Sequence, residues 1–186
     1  MNNPIKKILV FFTVILFISC KAQNTKVNAE KQTKTAIEER TQWLDKQEPL
    51  KPKDFEKWLP KKVADFALVS HEINKEMAGA PKNNIQLIYK NNAKKIEIII
   101  VDAAKDASAL EMIYFAFDMD NQLSKKETKK QESKEPHHIS KYNEEKKTAQ
   151  ILSIINKRFG VSAKGENMNP DALWLFVKQL QINKLK

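Results

Sequence analysis

The chain has 186 residues, a hydrophobic fraction of 41% and a formal charge of +10, from 33 Lys and Arg against 23 Asp and Glu. That apolar content suits one ordinary core, so a single folded domain is expected. The three glycines, Gly79, Gly160 and Gly165, leave no Gly-rich loop to cradle phosphate, and the single cysteine excludes a disulfide framework or a thiolate zinc site.

The N-terminus carries the strongest signal. Met1 to Lys7 is a short basic segment with Lys6 and Lys7, and Ile8 to Ile18 follows without a charge. This run of eleven residues, with Thr13 its only polar one, falls well short of the ~20 that a helix needs to cross a bilayer core. It matches the hydrophobic region of a secretory signal instead. The run ends in Phe17-Ile18-Ser19-Cys20, with a small residue directly before a cysteine. This ending resembles the lipobox of bacterial lipoproteins, with Phe17 standing where Leu is usual. The resemblance implies cleavage between Ser19 and Cys20 and attachment of a diacylglyceryl group to the Cys20 thiol. It covers about 21 residues and implies an envelope location, lipid-anchored to a membrane and facing the periplasm. Two or three acyl chains, at ~0.8 kcal/mol per buried methylene, would make the attachment effectively stable.

The expected organisation is a signal over residues 1–19, a tether over 20–34 and one domain over 35–186. Lys21 to Lys34 has Val27 as its only large apolar residue and cannot repay its ordering entropy. A short amphipathic helix is predicted over Thr35 to Lys46, then a helical turn at Phe55 to Leu59 between prolines. Period-two patterning begins at Phe66 and predicts a strand to Met77, with Ala67, Val69, His71, Ile73 and Met77 on one face. A turn at Gly79-Ala80-Pro81 and a second strand over Ile85 to Lys90 follow. Asn91-Asn92 reads as a hairpin turn, because asparagine tolerates positive φ. Lys94 to Asp102 (KKIEIIIVD) is β-branched and nearly all apolar, which predicts a central strand.

Asp106 or Ser108 is expected to start a helix reaching about Leu123, with Leu110, Ile113, Tyr114, Phe117 and Leu123 as its apolar stripe. Ser124 to Pro136 reads as a solvated run. Strands are predicted over His138 to Asn143, Thr148 to Ile155 and Arg158 to Lys164, the last two joined at Asn156-Lys157. Asn169 is placed to cap a final helix that starts with Pro170 and buries Leu173, Trp174, Phe176, Val177 and Leu180. Tight turns between consecutive strands predict an antiparallel sheet of five to six strands. Helices packed on one face, including the C-terminal one, make the class α+β. The C-terminal passage is similar to the ending of small uncharacterised secreted bacterial domains; that similarity names no activity.

Candidate sites stand beside simpler readings. His137 and His138 would point to opposite faces of an extended segment, so the two are poor joint metal ligands. His71 sits on an alternating strand, as a core-edge histidine or a catalytic base. Asp118-Met119-Asp120-Asn121 opens like a calcium loop, but Leu123 occupies the position that needs glycine. Asp102 and Asp106 flank the end of the central strand, as a strand stop and a helix cap or as general acid and base. The run Lys125 to Lys147 mixes eight Lys with five acids, a solvated surface or a contact for anionic lipid or envelope polymer. Arg40 and Arg158 are the only arginines, which argues against nucleic acid. The expectation is a lipid-anchored, non-enzymatic envelope module without cofactor or metal. It would bind an envelope protein or a polyanionic envelope component; an envelope hydrolase is the alternative.

Overall fold

The computed structural model describes residues 37–76, 82–124 and 138–185, the side chains of 121–124 excepted. The chain divides into two compact units, residues 1–42 and 43–186. Of the first, residues 37–42 are described and are helical. The signal with Ser19 and Cys20, the tether, the Gly79 turn, His137 and most of the charged run lie outside the described residues.

A first helix, α1, covers residues 37–45. Then come α2 (Pro52–Trp58), β1 (Lys62–Val63), β2 (Phe66–Ile73), β3 (Asn84–Asn91) and β4 (Lys94–Asp102). A 3-10 turn at Ala107–Leu110 leads into α3 (Glu111–Ser124). Next are β5 (His138–Asn143), β6 (Thr148–Ile155), β7 (Phe159–Glu166), α4 (Pro170–Gln179) and a closing 3-10 turn, Ile182–Lys184. The strands form one seven-stranded sheet in the order β1-β2-β3-β4-β7-β6-β5, with every neighbouring pair antiparallel. The class is α+β, as expected.

The sheet is two meanders joined where β4 pairs with β7. The seventh strand is β1, whose two residues are too short for any periodicity to register. Ala64, at φ 52°, begins the turn that folds Val63 back opposite Phe66. Tight turns elsewhere are built by residues that accept positive φ: Asn92 between β3 and β4, and Asn156 with Lys157 between β6 and β7.

Alternation then sorts the faces. Ile96, Ile98 and Ile100 of β4 are fully buried, beside Ile85, Leu87 and Tyr89 of β3 and Val161 and Ala163 of β7. α4 covers this face with Leu173, Trp174, Phe176 and Val177. Its start is fixed by Asn169, whose side chain accepts the Ala172 amide at 2.9 Å, with Pro170 in the first turn. Phe176 meets Phe66 and Tyr89 edge-on, with centroids 5.1 and 5.2 Å apart.

β2 departs from its predicted phase. Its register slips between Leu68 and Ser70, leaving Val69 as a bulge more than half exposed. The bulge swaps the faces, so Phe66 and Leu68 share the core side with His71 and Ile73, opposite Tyr89, Leu87 and Ile85. The 3-10 turn and α3 lie on the other face of the sheet, so helices flank both faces and not one as the sequence predicts, because β6 and β7 offer Ile154 and the bare Gly160 backbone on that side. Leu110 and Ile113 would lie 2.9 and 3.0 Å from a Cβ at Gly160, so the missing side chain lets this layer dock closely. Leu44, Ala103 and Leu110 form a small second core there, with Ile154 packed against it.

Candidate functional site

α3 lies against β5 and β6, and among the described residues Gln150, Ser162 and Lys164 on the same sheet face are exposed. Strand register builds that open surface row by row. The inner row runs Gln86, Ile99, Ser162, Leu152 and Ile139 across β3, β4, β7, β6 and β5. The next row runs Ile88, Glu97, Lys164, Gln150 and Lys141. Lys90, Lys95, Glu166, Thr148 and Asn143 form the outer row.

Two cavities lie on these rows. One, of about 310 Å³, is lined by Gln86, Glu97, Ile99, Ile139, Leu152 and Ser162 among others. The second, of about 390 Å³, is lined by Lys141, Tyr142, Asn143, Lys146, Thr148, Gln150 and Lys164. Lys141, Gln150 and Lys164 belong to both, so the two form one trough. Its inner end is aliphatic and its outer end carries three ammonium groups.

The charges within it are ordered. Lys95 hydrogen-bonds Glu97, and that bond holds the Glu97 carboxyl below the usual carboxylate range against the opposing effect of partial burial. Lys164 and Lys75 lower it further. The same contact raises the Lys95 ammonium. Lys75 is itself held by Gln86 Oε1 at 2.7 Å and Glu72 at 3.2 Å. Lys164 stands 3.6 Å from Glu166. Glu97 is therefore an anion matched by its neighbours. Among the described residues, no ion-pair partner stands within 4 Å of the Lys141 or Lys146 ammonium. Among the described residues, none of those lining the trough is His or Cys. Ser162 has Ile99 and Leu152 directly opposite it, so its nearest cross-strand neighbours offer no base.

The residues singled out by sequence go elsewhere. His138 stacks on Trp174 at 4.1 Å and 19°, on the core side of β5. His71 is surface-exposed, 3.5 Å from Glu56. Asp118 and Asp120 lie within α3, a helix and not an ion-binding loop. Among the described residues no group of three potential metal ligands converges. Asp102 is fully buried, paired with Arg158 and bonded by the amides of Leu50 and Ala104. Asp106 takes the Ser108 hydroxyl and caps no helix amide with its side chain. Asp102 and Asp106 thus serve the fold.

A second apolar surface lies on α3. Met112, Phe115 and Met119 are exposed by 78, 63 and 46%, at a spacing that places them on one side of the helix. Glu111 and Asp118 are exposed among them. No helix among the described residues is long and apolar enough to cross a membrane. No family model, curated protein or solved structure matches the chain.

Proposed function

We propose that this protein is a lipid-anchored bacterial envelope protein, held by Cys20, whose folded domain is a non-enzymatic binding module working through the open half of its sheet. One observation carries the binding reading: the trough crosses five strands and, among the described residues, is left uncovered by both helical layers. Concave surfaces with an apolar floor and a few convergent polar groups are the usual form of a binding site. A hydrolase would need a nucleophile beside a base, and the hydroxyl of Ser162 is flanked by two aliphatic side chains. The anchor rests on the Ser19-Cys20 ending of the N-terminal apolar run.

Two variants in the producing cell test this reading. Cys20→Ala should end incorporation of labelled fatty acid and block maturation; unchanged labelling would refute the anchor. Crosslinking from membranes with the unmodified chain should capture an envelope component through the trough. Gln150→Trp, at an exposed site on the trough floor, should abolish that capture by filling the space. Undiminished capture would place the working surface elsewhere.

A further inference from the structure

We infer that the trough takes a single-chain anionic amphiphile: one alkyl chain along the inner end and a carboxylate or phosphate monoester head at the outer end. This inference rests on the binding-module reading and narrows it to a class of ligand.

The inner end has Ile99, Leu152 and Ile139 on one cross-strand row, interrupted only by Ser162. An alkyl chain laid across them would remove apolar surface from water without displacing any buried polar group. The volume there, about 310 Å³, is at the small end of ligand pockets and suits one chain better than two. The outer end differs in kind. Lys141, Lys146 and Lys164 converge on a space also lined by Asn143, Thr148 and Gln150, which supply further hydrogen-bonding groups. Two of these three ammonium groups have no ion-pair partner among the described residues.

Polarity within the trough also sets the direction of the ligand. Glu97 lines the inner cavity and is kept ionised by Lys95. A negative head placed there would face that carboxylate, whereas the described lining of the outer cavity holds Lys141, Lys146 and Lys164 and no Asp or Glu. The aliphatic row and the lysine-lined outer cavity therefore lie towards opposite ends of the trough, and an amphiphile has the same order. A polyanion would use the lysines and leave the aliphatic floor wet. A purely apolar partner would use the floor and bury lysines without a counter-charge.

The test uses the full chain extracted from membranes and photoactivatable alkyl probes of equal chain length bearing a carboxylate, a phosphate or a hydroxyl head. The carboxylate or phosphate probe should label the Ile99, Ile139 or Leu152 peptides about tenfold more than the alcohol, the size expected of three screened charges acting together. That preference should shrink as salt is raised. A chain with Lys141→Gln, Lys146→Gln and Lys164→Gln, at exposed positions outside the core, should label no better with the charged probes than with the alcohol.

Equal labelling by the alcohol would overturn the inference, as would labelling confined to the Met112 side of α3. Full competition by inorganic phosphate would reduce the site to one for free anions. Equally strong labelling by a diacyl phospholipid probe in anionic vesicles would make it a membrane contact; each overturns the single-chain assignment. If no probe labels the trough while Gln150→Trp still abolishes capture of an envelope component, the ligand class is wrong and the binding module stands. If neither experiment responds to the trough, both readings fall.

Discussion

Arg158 grips both carboxylate oxygens of Asp102, Nε to Oδ1 at 2.6 Å and Nη2 to Oδ2 at 2.8 Å. The same guanidinium donates to the Glu48 carbonyl at 2.8 Å, and Asp102 accepts the Leu50 amide at 2.8 Å. One buried carboxylate therefore ties the end of β4, the start of β7 and the segment before α2. Planar, two-pronged pairing of this kind is available to Arg and not to Lys.

Asp102→Ala should cost about 3–5 kcal/mol, because it leaves the guanidinium and two amides without their acceptor. Urea unfolding of the purified chain measures it. Arg158→Lys should recover only part of the loss seen with Arg158→Ala. A cost below ~1 kcal/mol for Asp102→Ala would mean that water replaces the carboxylate without penalty.

Ile98 and Trp174 belong to the same core, on β4 and α4. Ile98→Ala should cost about 2–5 kcal/mol and Trp174→Ala about 3–5 kcal/mol. Trp174 carries the His138 ring on its outer side, so its loss should also free the start of β5. Hydrogen exchange at Ile139 and Lys141 reads that second effect. Intact stability in Trp174→Ala would show that α4 is not part of the core.

Tyr89 predicts an alkaline limit. Burial raises its phenol above the usual value, and its hydroxyl donates to the Pro60 carbonyl at 2.7 Å. The unfolded chain releases this proton near pH 10, while the folded chain retains it. Stability linked to Tyr89 is thus complete below about pH 10 and falls as pH rises beyond it. Tyr89→Phe should lose about 0.5–1.5 kcal/mol at neutral pH, with a shallower decline above pH 10. An identical alkaline slope in both proteins would assign the decline to other groups.

Truncation should separate the polar N-terminal segment from the folded domain. A chain starting at Thr35 should unfold within ~1 kcal/mol of one starting at Lys21, since the removed residues offer almost no apolar surface. A chain starting at Lys51 should be far weaker. It lacks Leu44, fully buried against Ala103 and Leu110, and the Leu50 amide on Asp102. Equal midpoints for all three would contradict that packing.

Local signals carried much of the fold. β4, β5 and β6 have the bounds that their patterning predicts, and the Asn156-Lys157 turn and the Asn169-Pro170 helix start follow from residue chemistry. β2 was misphased because a bulge is a property of the pairing with β3, invisible in one strand. On α3, Leu110 just before it and Phe117 are buried as the stripe predicts, and Ile113 and Tyr114 are half-buried. The apolar Met112, Phe115 and Met119 opposite them did not register as a second face. The trough was not legible at all. Its residues come from five strands, and Glu97 meets Lys164 only because β4 pairs with β7. Alone, each of its lysines reads as an ordinary solvated side chain.

The Asp102 clasp also sets a load path. A pull arriving along the chain at Trp43 meets, in order, buried Leu44 with its carbonyl held by the Lys105 amide, the Glu48 carbonyl on Arg158 and the Leu50 amide on Asp102. These fastenings sit at one end of β4, near Ala103, whereas the lysine end of the trough lies by Lys95 and Glu166 at the other. Tension would be absorbed at the first end before any strand in the trough had to shear. A domain loaded from its N-terminal side would keep its open face in shape.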